Sequence, residues 1–133
     1  MKIEHMALNV SSAAEHVKWY VDHLGMQVVR KMNDPNQTHF LADEAGQTVI
    51  ELYSNPAMPV LDYAAMNALT FHIAFVVENI KEDFSRLGAA GASVDSEIRE
   101  NAAGDLLAML RDPWGIPIQL VQRHHALLQA RND

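Results

Sequence analysis

The sequence predicts an α+β fold built from two tandem copies of one βαβββ module. Two observations predict this duplication. Strand-like and helix-like segments follow one another in the same order in both halves of the 133-residue chain. Unusual polar residues also recur at matched places: His5 and His72 lie 67 positions apart in the opening strands, and Glu51 and Gln119 lie 68 apart in the closing strands. A repeat this regular is stronger than any single short motif.

The first half begins with a strand-like run and continues into a helix. The run is IEHMALNV, and 12-SAAE-15 then has the form of a capping box, with Ser12 at the N-cap and Glu15 three positions later. Apolar residues at helical spacing follow, and Gly25 is placed to end the helix. Three strand-like runs come next, separated by turn-forming DPN and DEAG: MQVVRKM, THFLA and TVIELY.

The second half repeats this order. Its strand LTFHIAFVV leads to a helix start at 79-NIKE-82, Gly91 closes the helix, and three strands follow: ASVDSEIR, DLLAMLR and IPIQLVQ. A D-x-x-G turn precedes the closing strand of each half. We therefore expect one domain over 1–133, with a first module at about 1–53, a linker at about 54–69, a second module at about 70–123 and a C-terminal tail at 124–133.

Composition excludes several classes of protein. The net charge of −7 argues against nucleic acid or an anionic membrane surface as a partner, because both require clustered Lys and Arg. No apolar stretch reaches the ~20 residues of a membrane span. The chain has no cysteine, which excludes disulfides and thiolate ligands. The N-terminus lacks the layout of a signal peptide, so a cytoplasmic protein is expected.

Strand alternation places the four unusual polar residues on equivalent faces. Side chains alternate along a strand, and each of these residues lies opposite a row of apolar neighbours. The apolar rows would pack under the helices, and the other faces would line a concave surface. Two imidazoles, one carboxylate and one amide oxygen suit a divalent transition metal and leave it with a net positive charge. The predicted metal ligands are His5, Glu51, His72 and Gln119.

Three features of the sequence point to a known family: the duplicated module, H-x-A-x-x-V at the start of each half, and the closing D-P-W-G-x-P-I-Q-L. Through these features the chain resembles the vicinal oxygen chelate superfamily, the glyoxalase, bleomycin-resistance and dioxygenase type. This resemblance covers the chain from about Lys2 to Arg123. It implies two modules whose strands curl around an open cup, with metal ligands from the first and last strand of each module. Those positions are the same four residues.

Within this superfamily the chain is most similar to the glyoxalase I branch, through LGMQVVRKM and the run V-I-E-L followed by Asn55. Bacterial glyoxalase I usually has Glu in the last strand as ligand and catalytic base, where this chain has Gln119. It also has an Arg in the first strand for the glutathione carboxylate, where this chain has Asn9. The resemblance therefore implies Glu51 as the catalytic base and Asn9 and Asn55 as substrate-binding residues.

Three functions are compatible with this resemblance. The first is a lyase or isomerase that uses a divalent ion (Ni, Zn, Mn, Fe or Co) and acts on a small oxygenated substrate through an enolate-type intermediate. The alternative is a metal-free protein that binds a small antibiotic-type molecule. A ring-cleaving dioxygenase comes third, because those relatives take their carboxylate from the last strand. A homodimer is expected, because paired modules leave sheet edges exposed.

Overall fold

The computed structural model describes residues 1–128. The chain divides into two compact units, Met1–Leu61 and Asp62–Asp133. The predicted linker is thus shared, with 54–61 in the first unit and 62–69 in the second. Of the predicted tail, 129–133 lie outside the described residues.

The first unit contains a four-stranded mixed sheet and one helix. Its elements are β1 (Met6–Asn9), α1 (Ala13–Leu24), β2 (Gln27–Lys31), β3 (His39–Ala42) and β4 (Val49–Tyr53). The strand order is β1-β4-β3-β2, with β1 parallel to β4 and the other pairs antiparallel. A bulge interrupts the β2–β3 pairing between Val28 and Arg30.

The second unit repeats this topology. Its elements are β5 (Ile73–Val76), α2 (Ile80–Ala89), β6 (Ser93–Glu100), β7 (Leu106–Arg111) and β8 (Pro117–Gln122). The order β5-β8-β7-β6 again has one parallel pair, β5 with β8. The two mixed sheets with two helices confirm the predicted α+β fold of two βαβββ modules.

Strand register places Glu51 and Gln119 at equivalent positions of the two units. Ala7 pairs with Glu51 in the first unit, and Ala74 pairs with Gln119 in the second. The predicted opening strands were too long, because β1 and β5 begin at Met6 and Ile73. His5 and His72 therefore precede their strands by one residue, at equivalent places.

Each unit has its own apolar core between helix and sheet. In the first unit Tyr20 of α1, Leu41 of β3 and Leu52 of β4 are fully buried. In the second unit Leu87 of α2 and Leu120 of β8 are equally buried. Burying such side chains contributes about 1.5–3 kcal/mol each. These cores hold β4 and β8, so the opposite face of each strand can present polar side chains.

The two helices begin differently. Asn79 caps α2 through its side chain, which accepts a hydrogen bond from the Glu82 N–H at 3.3 Å. Ser12 is the N-cap of α1, but its side chain makes no capping hydrogen bond, so the predicted capping box is wrong. The Ala13 N–H donates instead to the Ser54 hydroxyl at 2.7 Å. Gly25 ends α1 in the left-handed conformation (φ 68°), as predicted.

No helix in residues 1–128 is long and apolar enough to cross a membrane.

Candidate functional site

The first unit brings His5 and Glu51 into contact. His5 precedes β1 and Glu51 is central in β4, and Nε2 of the imidazole lies 3.2 Å from Oε2 of the carboxylate. Their side chains are 32% and 20% exposed, so both are accessible to a small ligand. Phe40, the cross-strand neighbour of Glu51, packs its ring edge-on against the His5 ring at 5.4 Å. The sheet register and this aromatic contact hold the pair in place.

The other ring nitrogen of His5 is also notable. Nδ1 is buried and makes no hydrogen bond. The Glu4 carboxylate lies 3.3 Å from it, within ion-pair distance if the ring is protonated. That contact is too poorly aligned to count as a hydrogen bond, so we treat Nδ1 as unsatisfied. A buried ring nitrogen without a hydrogen bond costs free energy, and it is Nε2, not Nδ1, that faces Glu51.

In the second unit, His72 makes a different contact, with a backbone carbonyl oxygen. Its Nδ1 lies 2.8 Å from the Ala68 carbonyl oxygen. A carbonyl can only accept, so Nδ1 holds the proton and Nε2 of the neutral ring keeps its lone pair. This arrangement is the usual support of a metal-binding histidine. Gln119 lies on β8 between Ala74 and Met109 and lines a cavity of this unit.

The His5–Glu51 pair fits a divalent metal by its spacing. Ligand nitrogen and oxygen atoms bond such an ion at about 2.0–2.2 Å, so two neighbouring ligand atoms lie about 3.0–3.4 Å apart. The 3.2 Å between Nε2 and Oε2 falls in this range. Among residues 1–128, however, no group of three or more His, Asp and Glu side chains is placed to hold a metal. The metal therefore stays a prediction.

The predicted substrate-binding residues form a structural contact with each other. The Asn55 N–H donates to Asn9 Oδ1 at 2.8 Å. The Asn9 side-chain amide nitrogen lies 3.1–3.2 Å from the carbonyl oxygens of Asn55, Met58 and Pro59, which share its two N–H donors. Asn9 thus fixes the 55–59 segment through both ends of its amide. A substrate-binding role for Asn9 and Asn55 stays a prediction.

Two arginines near the predicted ligands of the second unit, Arg111 and Arg99, are not marked by any sequence motif. Arg111 donates to the carbonyls of Tyr63, Met66 and Gly115 and pairs with Asp95. These bonds hold the 63–67 segment that immediately precedes Ala68, the hydrogen-bond partner of His72. Arg99 lines the cavity that Gln119 also lines. The contacts of Arg111 and the position of Arg99 depend on residues far apart in the chain, and no local sequence pattern indicates them.

Comparison with known proteins matches residues 2–120 to the family model of the Glyoxalase/Bleomycin resistance protein/Dioxygenase superfamily. A probable lactoylglutathione lyase of Vibrio cholerae is 32% identical over 131 residues, covering 94% of this chain and 93% of that protein. A lactoylglutathione lyase of Salmonella typhimurium is 29% identical over 132 residues, covering 95% and 96%.

Solved structures agree with the fold. A glyoxalase family protein of Bacillus cereus is similar with a TM-score of 0.79 at 21% identity, covering 92% of this chain and 93% of that one. A glyoxalase family protein of Enterococcus faecalis gives 0.71 at 27% identity, covering 91% and 97%. An antibiotic binding protein of Streptomyces gives 0.69 at 21% identity, covering 92% and 98%. Likenesses at 21% identity show the fold alone.

Proposed function

This chain belongs to the Glyoxalase/Bleomycin resistance protein/Dioxygenase superfamily, and we propose that it is a divalent-metal-dependent lyase or isomerase acting on a small oxygenated substrate. The ligands of the ion are His5, Glu51, His72 and Gln119, and the ion is Ni, Zn, Mn, Fe or Co. The assignment of all four residues to one ion rests on the repeat and on the family resemblance.

The observation that supports this proposal most directly is the 3.2 Å approach of His5 Nε2 to Glu51 Oε2. An imidazole and a carboxylate at this distance are either a hydrogen-bonded pair or two neighbouring ligands of one ion. The oriented His72 ring supports the second reading, because its hydrogen bond to Ala68 leaves Nε2 available.

Glu51 has the catalytic role in this proposal. It is the only carboxylate among the four residues, and a carboxylate can take a proton from the carbon next to a substrate carbonyl and return it to the neighbouring atom. This transfer passes through an enolate-type intermediate. When bound, the ion supplies positive charge that stabilises negative charge on a substrate oxygen. Phe40 shields one side of His5 from water.

The lactoylglutathione lyases at 29–32% identity suggest a related reaction but not the same substrate. Gln119 cannot accept a proton at neutral pH, which leaves Glu51 as the single base. Asn9, at the place of the glutathione-binding Arg, is uncharged and occupied by backbone carbonyls. We therefore expect negligible activity on the methylglyoxal–glutathione adduct.

The proposal is tested by proton exchange in D₂O. An α-hydroxyketone is incubated with protein loaded in turn with each of the five metals, and deuterium incorporation at the α-carbon is followed by NMR. We expect metal-dependent exchange that Glu51→Gln abolishes and that Glu44→Gln, at an exposed turn residue, leaves unchanged. Exchange that survives Glu51→Gln would show that the base lies elsewhere.

The second candidate is a metal-free protein that binds a small molecule. The cavity of the second unit favours it, because Leu69, Leu107 and Met109 give that cavity an apolar lining. Metal analysis after incubation with the same five ions separates the two functions. Protein that stays metal-free while binding small aromatic compounds would favour the second.

We further propose a cytoplasmic homodimer. β1 and β2 are the edge strands of the first sheet and β5 and β6 those of the second. Val28 and Val29 of β2 and Val94 of β6 are 45–59% exposed. Apolar edge strands favour pairing with a second copy. Light scattering at tens of micromolar should give the mass of two chains, and a monomeric mass would contradict this proposal.

A further inference from the structure

The second unit contains a cavity of about 240 Å³ beside the predicted ligand Gln119. Three strands and the segment before β5 line it. Its lining includes Asp95, Ser96, Arg99, Leu107, Met109 and Gln119.

Strand register places these residues on one face of the sheet. Ser96 pairs with Met109, which pairs with Gln119, and these three residues form one row across β6, β7 and β8. Arg99 pairs with Leu107, in the next row on the same face. Strand spacing and rise put the Arg99 and Gln119 backbones about 12 Å apart. A small molecule can therefore reach the Arg99 guanidinium and the Gln119 amide together.

The charges of the lining do not cancel. Asp95 and Arg99 are its charged residues. The Asp95 carboxylate accepts a hydrogen bond from Arg111 Nε at 2.9 Å, so its charge is already paired. No carboxylate within residues 1–128 pairs with Arg99, as the ion pairs of this part of the chain show. The cavity thus has one available guanidinium in a chain of net charge −7.

From this charge and this lining, we propose that the cavity binds the carboxylate of a small, partly apolar acid, with Arg99 as the anion-binding residue. A guanidinium binds a carboxylate through two parallel hydrogen bonds. Leu107 and Met109 contact the hydrocarbon part of the acid, and Gln119 lies at its other end. The proposal names the substrate class of the proposed enzyme and rests on that function for the reaction, while the binding is measured separately.

The size and charge of the cavity narrow the class of acid that it can bind. A cavity of about 150 Å³ holds benzene, and pockets for larger ligands measure about 300–1,000 Å³. At about 240 Å³ this cavity suits an acid the size of phenylacetate. A single guanidinium next to Asp95 matches one negative charge, so a monocarboxylate fits better than a phosphate dianion.

The test compares phenylacetate with 2-phenylethanol, which has the same ring and chain but no charge. Both are titrated into the full-length protein by calorimetry. The wild type should bind the acid at least tenfold more tightly than the alcohol. Arg99→Gln should remove that preference and leave the affinity for the alcohol within twofold. Lys81→Gln is the matched control, since it removes one exposed positive charge on α2 and should change neither affinity.

Three results would overturn the proposal: no preference for the acid in the wild type, a preference that survives Arg99→Gln, or an equal loss in Lys81→Gln. Inorganic phosphate that displaces phenylacetate at equal concentration would overturn the carboxylate assignment. A wild type that binds no metal but shows the Arg99-dependent preference would refute the metal-dependent function and leave this inference standing.

Discussion

The closing strand of the first unit presents a carboxylate at Glu51, whereas the equivalent strand of the second unit presents an amide at Gln119. The two positions are equivalent in strand register. Glu51 pairs with Ala7, two positions after His5, and Gln119 pairs with Ala74, two positions after His72. The histidines also differ in their surroundings. His5 lies between two carboxylates, while His72 is held by a backbone carbonyl.

The two copies of one scaffold thus present different chemical groups at equivalent places. The first unit has the group that can accept a proton. The second has an imidazole and an amide at these places, and a cavity lined in part by Arg99, which has no ion-pair partner among residues 1–128. Shared topology fixes where the polar side chains stand, and single residues decide what each copy can do.

The largest effect should come from exchanging the two closing-strand residues. Glu51→Gln removes the only carboxylate of the four predicted ligands and should weaken metal binding by at least about 100-fold, since even outer-shell changes cost 10–100-fold. Gln119→Glu adds a charge and should tighten it at least about tenfold. Isothermal titration with Ni²⁺ or Zn²⁺ measures both.

The double exchange Glu51→Gln/Gln119→Glu is the control for charge count. It should restore metal affinity to within about tenfold of the wild type, because one carboxylate is again present. If Glu51→Gln alone left metal affinity unchanged, the assignment of Glu51 as a ligand would be wrong.

The D-x-x-G turns before β4 and β8 should differ in stability. Asp112 is 2% exposed and accepts hydrogen bonds from the N–H groups of Trp114 and Ile116. Asp43 accepts two similar bonds from Gln47 and Thr48 in a more exposed turn. Asp112→Ala should lower the free energy of unfolding by about 2–4 kcal/mol and Asp43→Ala by about 1 kcal/mol. Urea unfolding measures both, and equal losses would contradict the role of burial.

The helix starts should respond to different substitutions. Asn79→Ala removes the side-chain cap of α2 and should cost about 1 kcal/mol. Ser12→Ala should lower the free energy of unfolding by only a few tenths of a kcal/mol, because the Ser12 side chain makes no capping bond. Ser54→Ala should cost about 1 kcal/mol, since its hydroxyl accepts from the Ala13 N–H. The same unfolding measurement orders the three, and a costly Ser12→Ala would refute this account of α1.

The smallest effect concerns acid sensitivity in each unit. The Thr38 hydroxyl and N–H lower the pKa of Asp34 in the first unit. The His124 N–H and the Arg123 guanidinium lower the pKa of Asp105 in the second. A lowered folded-state pKa gives stability that is present above the unfolded value of about 3.9 and is lost as pH falls through the folded value.

Asp34→Asn and Asp105→Asn should therefore each reduce the loss of stability between pH 5 and pH 3, followed by urea unfolding at each pH. The Asp105 contribution should also shrink in 0.5 M salt, because it includes an ion pair with Arg123. The Asp34 contribution should resist salt. An unchanged pH dependence in both variants would contradict these assignments.

The sequence predicted the repeat and the equivalence of His5 with His72 and Glu51 with Gln119, because alternation and turn residues are local signals. It correctly placed Ser12 at the N-cap of α1 but was wrong about the capping box, because the Ser12 side chain makes no capping bond and the Ala13 N–H donates to Ser54, 41 positions away. It also gave no sign of the loop contacts of Arg111 or of the place of Arg99 in the cavity lining, because both follow from strand pairing and loop contacts. Long-range hydrogen bonds leave no periodic trace in one sequence.

The proposal depends most on the metal-ligand roles of His5 and His72. The most direct measurement is the stoichiometry and affinity of Zn²⁺ binding in the wild type, His5→Ala, His72→Ala and the control His125→Ala, an exposed histidine outside the predicted set. We expect one ion per chain in the wild type and in His125→Ala, and a metal affinity at least about 100-fold weaker in His5→Ala and His72→Ala. Wild-type affinity in either His5→Ala or His72→Ala, or no bound ion at all, would contradict it.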